Sequence, residues 1–293
     1  MKPFIPLRVR ILGVFSLLLA SVLAASLGLV GRAQTAQIEE GLRAQLKTTV
    51  EVFWGTFARK QQQLETSLAL LSGDFAFKQA YSTGDPATIA SAAKNFQSRI
   101  GADVVWVADD EGTITADTSG IFPLGSDGAE IISIKAALAE RPASEIFVRG
   151  NTIIQVVAVP IKAPDVVGVL AAGFRFDDKA AEELRMTTRS DVSFARSDGV
   201  IASSLKAGDR AVLAASAGEL MKADYRLMGP AGARWLVLSR PISVGMGGVS
   251  VFIQRPWDAA LEPVRELRSV LLIVGAAALA LTVLVGFIVA QGV

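Results

Sequence analysis

Two long stretches without a charged side chain constrain what this chain can become. From Ile11 to Gly31 the sequence reads ILGVFSLLLASVLAASLGLVG, 21 uncharged residues. As a helix they reach about 31 Å, the depth of a bilayer's hydrocarbon core. A second run from Ser269 to Ala290, SVLLIVGAAALALTVLVGFIVA, adds 22 more. Backbone groups inside a bilayer must pair internally, so such runs are read as helices. The chain is expected to cross a membrane at 11–31 and again at 269–290, with the lipid bilayer as a partner. Lys2, Arg8 and Arg10 precede the first run, against Arg32 just beyond it. That bias makes residues 1–10 a cytoplasmic tail and places residues 32–268 outside a bacterial inner membrane, in the periplasm. A cleaved signal peptide is the alternative, since Ala24, Ala25 and Ser26 lie inside the run. Signal cores extend about 7–15 residues, however, and this run continues for a full span, which favours an uncleaved anchor. With Gln291–Val293 returned to the cytoplasm and no output module in view, the chain reads as the front part of something longer.

The composition removes many activities. The 293 residues include no Cys and no His, and 29 Lys and Arg stand against 28 Asp and Glu. Disulfides, Cys/His zinc sites, Ser-His-Asp triads, haem-ligating His and phospho-accepting His are therefore excluded within these residues. Balanced charge gives no basic footprint for nucleic acid. No cofactor and no metal site is expected. The run Asp109-Asp-Glu lacks the alternating carboxylates of a calcium loop and reads as a solvated turn. Gly229-Pro-Ala-Gly and Gly245-Met-Gly-Gly lack the Lys and Ser/Thr of a phosphate loop and read as hairpin turns. An Asp117/Asp127 pair offers no reason to infer glycoside hydrolysis, because nothing fixes its separation. No enzyme is read in this chain; any catalytic output would lie past residue 293.

Between the spans the pattern is α/β (α+β). Residues 32–72 contain no Pro and few Gly, and read as a long stalk helix. Its apolar residues recur in steps of three, four and seven, including Leu42, Leu46, Val50, Phe53 and Phe57, with Lys60 interrupting the stripe before Leu64. Two readings stay open for that stripe: packing against the protein's own sheet, or the seam of a parallel homodimer. Short helices follow on either side of the turn STGDP, the second ending at Gly101. Period-2 segments then begin: Asp103 to Ala108, returning at Thr113 to Asp117, then a helix near 130–140, then strands from Thr152 and from Val166 joined by Lys162-Ala-Pro-Asp. This order returns. VWVADDEGTITADTS at Val105 aligns with VSFARSDGVIASS at Val192, and GVLAAGFRFDD at Gly168 with GVSVFIQRPWD at Gly248. Self-similarity of this kind means one supersecondary module used twice, here 73–185 and 186–258. A connector helix, 259–268, is expected to run unbroken into the second span.

A signal anchor, a long outward helix, two tandem hairpin-bearing α/β units and a second span resemble the double Cache sensor family, whose units are PAS-like antiparallel sheets. The resemblance covers almost the whole chain and rests on architecture and on the repeated hairpin. It implies a ligand-sensing ectodomain of a bacterial histidine kinase, chemoreceptor, or diguanylate or adenylate cyclase, with a small-molecule ligand in the membrane-distal unit, here the first. The change would pass through the connector to the second span. A membrane-anchored interaction or scaffold protein without a small ligand is the competing reading.

Within such a unit, polar residues in apolar strands are candidates for ligand contact. Trp106 and Gln155 stand in aliphatic strands, Asp117 and Arg149 flank the same hairpins, and Tyr81, Arg99 and Arg175 complete the candidate set. Bonding to neighbouring backbone or water is the alternative for each. The sequence does not name the ligand.

Overall fold

The computed structural model describes residues 7–243 and 248–291. Lys2, Gly245 to Gly247, Gly292 and Val293 lie outside the described residues. Helix α1 (Leu7–Ser72) runs for 66 residues without a proline, so no backbone donor is missing from its ladder. Asp74 caps α2 (Phe75–Ser82) by accepting from Phe77 N at 2.9 Å, and Asp85 caps α3 (Pro86–Ile100) by accepting from Thr88 N at 2.9 Å. Gly101, at φ 65°, closes α3 in the left-handed conformation that glycine adopts without cost.

Five strands then build the first sheet, with one helix between the second and third: β1 (Val104–Asp109), β2 (Ile114–Asp117), α4 (Ile132–Leu138), β3 (Ala143–Arg149), β4 (Thr152–Lys162) and β5 (Val166–Arg175). Its strand order is β2-β1-β5-β4-β3, every neighbour antiparallel. After α5 (Asp178–Thr188) come β6 (Asp191–Arg196), β7 (Gly199–Ser203), α6 (Ala207–Leu220), β8 (Tyr225–Met228), β9 (Trp235–Ser243) and β10 (Val249–Pro256), ordered β7-β6-β10-β9-β8. The duplication read from the hairpins is therefore a duplication of sheet topology. The chain closes with α7 (Trp257–Ala260) and α8 (Glu262–Gln291). Both α1 and α8 are long and apolar enough to cross a membrane, by length and composition.

The described residues form two compact units. One comprises the residues up to Gln45, Leu227–Leu236 and those from Pro256 onward; the other comprises Leu46–Arg226 and Val237–Arg255. In the latter, the first sheet is covered on both faces. Val105, Val107, Val157, Val159, Ile161 and Leu170 pack under Leu64 and Leu68 of α1, Phe77 of α2 and Ile89 and Phe96 of α3. The opposite face, with Trp106, Ile154, Val156 and Val169, packs under Ile131, Ile134 and Ala137, closed by Phe122 and Phe147. Two-sided burial explains why these strands read as unbroken apolar runs.

Several expectations change. Edge strands β3 and β8 escaped the sequence reading: β3 carries Glu145 and Arg149 in a mixed pattern, and β8 is only four residues long. The connector is not one helix, because it breaks at Leu261 before α8 begins. Pro263 accounts for the break: its ring would meet the carbonyl four residues back, and it fits only a first helical turn. The expected module boundaries at 185 and 258 fall inside α5 and α7. The stripe offered as a dimer seam is turned inward: Leu42, Leu46, Val50 and Phe53 are buried within the single chain and Phe57 is half-buried. Leu46 is 0% and Phe53 3% exposed.

Two local packings yield tests. A Cβ on Gly168 of β5 would fall on the Tyr81 hydroxyl and lie 2.5 Å from the Ala108 carbonyl oxygen. Tyr81 donates to Val167 O at 2.6 Å, and burial, reinforced by the Asp109 and Asp110 carboxylates, pushes its phenol up to about 12, so it remains a donor. Gly168→Ala is expected to cost about 1–3 kcal/mol, read as a lowered Tm, while Gly208→Ala, with open space in α6, costs nothing.

Asp258, 4% exposed, accepts from Arg234 N at 2.9 Å, Nε at 3.1 Å and Nη2 at 2.9 Å, and from Arg265 Nη2 at 2.7 Å. The Arg234 side chain first, then its backbone N–H, holds this carboxyl well below its usual range. A depressed carboxyl pKa contributes stability above its unfolded value of 3.8, lost as pH falls beneath it. Acid titration from pH 5 to pH 2 is expected to destabilise the wild type more steeply than Asp258→Asn.

Candidate functional site

The cavity that gathers the most chemistry lies in the larger unit, between α1, the end of the first sheet and α5. It encloses about 140 Å³. From α1 come Phe53, Thr56, Phe57 and Lys60, and from α5 come Ala180, Glu183, Leu184 and Thr187. Both sets follow the i, i+3, i+4, i+7 spacing that puts four side chains on one helical face. The sheet supplies Gln155 from β4 and Phe174 and Arg175 from the end of β5, with Phe176 just beyond.

Aromatic rings make most of the wall. Phe57 and Phe176 stack with centroids 6.1 Å apart and planes 4° from parallel, and Phe53 and Phe176 lie 6.4 Å apart. Phe176 continues to Phe194 at 4.8 Å. The polar groups are few and convergent. Gln155, 1% exposed, donates its Nε2 to the Phe57 carbonyl at 3.1 Å, a bond that ties the sheet to the helix. Lys60 Nζ sits 5.0 Å from the Phe174 ring centroid, within cation–π range. Arg175 donates its backbone N–H to Asp103 at 2.8 Å, yet its side-chain Nε is buried without a hydrogen-bond partner among the described residues. Lys60 and Gln155 border an aromatic hollow, with Glu183 exposed on the α5 side; Arg175 reaches its rim at the end of β5, where its register opposite Ile154 sets its side chain on the other sheet face from Gln155 and Phe174.

The seven sequence candidates divide among four places. Trp106, Asp117 and Arg149 share the α4 side of the first sheet. There Trp106 Nε1 donates to Asp117 at 3.0 Å and Ser119 at 3.1 Å, Asp117 also accepts from Phe122 N at 2.7 Å, and the Arg149 guanidinium lies 4.5 Å over the Phe122 ring. Trp106 and Asp117 are thus engaged with each other, and Arg149 with a ring. Gln155 and Arg175 meet at the cavity. Tyr81 packs on the α1 side beside Gly168, and Arg99 borders an open groove along α2 and α3. The cavity's helical contributors Glu183, Leu184 and Thr187 were not foreseen. Lys60 was noticed only as a break in the apolar stripe, which is the signal that could have found it. The acidic turn closes on itself, since Asp109 accepts from Glu111 N at 3.1 Å and Thr113 N at 2.7 Å. Gly229 and Gly232 take positive φ in the turn between β8 and β9.

Residues 39–268 match the family described as the double sensory domain of two-component sensor kinases, dCache. The chain belongs to this family. The dCache domain is sensory. Among solved structures, the chain resembles the periplasmic domain of Vibrio cholerae LuxQ at 12% identity and TM-score 0.51, over 71% of this chain and 98% of that one. It also resembles the sensor domain of the V. cholerae histidine kinase DctB at 15% identity and TM-score 0.49, over 75% of this chain and 97% of that one. At 12% identity the likeness to the LuxQ domain is one of fold. No curated protein matches the sequence.

The cavity wall leads to a test of the inward-facing helix. Phe53→Ala in the dCache domain is expected to cost about 3–5 kcal/mol, the range for a buried ring. Trp54→Ala, one residue on and 36% exposed, is expected to cost less. Urea unfolding of the two variants checks the contrast; equal losses would mean that the helix is rotated.

Proposed function

We propose that the chain is the ligand-sensing extracytoplasmic part of a bacterial transmembrane receptor, with its N-terminus in the cytoplasm. A small molecule enters the cavity of the first, membrane-distal module, and the response passes to the second span. The observation that carries this reading is an aromatic cavity lined by Lys60, Gln155 and Arg175, the last with a side-chain Nε buried without a partner among the described residues. An orphan buried donor costs about 1–3 kcal/mol, which a ligand acceptor recovers. A hollow near 140 Å³ suits an occupant about the size of benzene, so a compact molecule carrying a carboxylate or carbonyl fits both volume and charge.

Continuity of α1 supports transmission. The helix that supplies Phe53, Phe57 and Lys60 to the wall is the same helix whose first turns form the apolar run. A ligand that binds one arrangement of α1 and α5 better than another shifts the population between them, and only that difference in affinity can drive the change. The family match favours a sensor kinase among the possible outputs. One observation favours the competing reading of an interaction protein without a ligand: the α4 side of the first sheet is filled by Trp106, Phe122 and Phe147, with centroids 5.2–5.8 Å apart.

Thermal-shift screening of the detergent-solubilised full chain against small carboxylates, amino acids, amines and purines tests the proposal. The expected result is a compound that raises Tm in the wild type by mass action and loses its effect in Arg175→Ala and in the cavity-filling Ala180→Phe. A shift that survives both substitutions would place the ligand elsewhere, and no shift with any compound would favour the interaction protein.

A further inference from the structure

A second hollow lies within the smaller unit, between α1 and α8, where the two apolar runs end. It encloses about 610 Å³. Arg32 enters it from α1 and Arg265 and Arg268 from α8, with Glu39 the one carboxylate on its wall. Glu39 is engaged by Arg43 at 2.6 Å, and Arg265 holds Asp258 at 2.7 Å. Neither Arg32 nor Arg268 has an ion-pair partner among the described residues. Gly28 and Gly31 leave the α1 side of the hollow open, for a Cβ on either would meet nothing within 4 Å.

From this geometry we infer that the hollow is a binding site for the headgroup of an anionic phospholipid. Arg32 directly follows one apolar run and Arg268 directly precedes the other, so if both runs span, the arginines lie at the same face of the bilayer. Guanidinium groups match phosphodiester oxygens with paired donors and hold them in place. The helices leaving the hollow on its apolar side expose Val22 and Leu29 of α1 and Val270 and Ile273 of α8, a surface for acyl chains. A charged end joined to an apolar end is the chemistry of a lipid, whereas a free phosphate matches only the arginines. Basic pockets between membrane helices bind headgroups in this manner. Because the site touches both helices, the bound lipid bridges α1 and α8 independently of any ligand in the sensory cavity.

Native mass spectrometry of the full chain tests the inference, with added phosphatidylglycerol, phosphatidylcholine of the same chain length, or inorganic phosphate. The expected result is retention of phosphatidylglycerol over phosphatidylcholine and at least a tenfold weaker apparent affinity in Arg32→Gln/Arg268→Gln. Gly31→Leu, which fills the hollow and leaves every charge in place, is expected to weaken binding as well and serves as the decisive variant if the double substitution fails to fold. Equal retention of the two lipids, unchanged binding in the variants, or arginine-dependent binding of inorganic phosphate without lipid preference would each overturn the inference.

Discussion

Packing of the inner face of α1 is the interaction on which the sensory unit depends. Leu46, Val50, Phe53, Leu64 and Leu68 are buried along one side of the helix, at spacings that keep them on one stripe. The upper part closes the core of the first sheet, and the lower part reaches Phe176 and Phe194. Thr49 meets the buried Ser190 at 3.1 Å on the same stripe. A helix of this length gains little stability from propensity alone; tertiary burial fixes its rotation. That rotation in turn decides that Phe57 and Lys60 face a cavity and Trp54 does not.

Much of this architecture could be read from the residues. The repeated hairpins declared the duplication because period-2 alternation and an Asp- or Gly-bearing turn are local signals. Gln155 stood out because a polar group within an apolar strand needs a partner, whereas Arg175 only completed the candidate set. The stripe from Leu42 to Phe57 was also visible, but periodicity reports only that a face is buried, never against what. Here Phe53 meets Phe176 and Phe194, and further along the helix Leu64 and Leu68 pack on the first sheet. The α5 side of the cavity was illegible for a related reason: Glu183 and Thr187 are ordinary residues of an exposed helix until the sheet brings them opposite Lys60. Edge strands β3 and β8 failed the pattern test because edges are short, charged and half-solvated. The break at Leu261 was legible in Pro263 and was passed over.

The two faces of the first sheet have opposite characters. On the α4 side Trp106, Asp117 and Ser119 hydrogen-bond one another and Arg149 lies over the Phe122 ring, while the buried Ser133 hydroxyl of α4 has no partner among the described residues. On the α1 side an aromatic hollow is bordered by Lys60 and Gln155. Membership in the dCache family fixes the fold and the sensory role but does not choose between these faces.

The central claim is that α1 packs into its own chain. Because the native sequence has no Cys, Thr49→Cys with Ser190→Cys gives a single engineered pair, placed where the native hydroxyls lie 3.1 Å apart. Oxidation of the membrane-embedded full chain, resolved on a non-reducing gel, measures it directly. The account requires an intramolecular disulfide that leaves a faster-migrating monomer. A covalent dimer as the main product would show that the inner face of α1 belongs to a second copy and would contradict it.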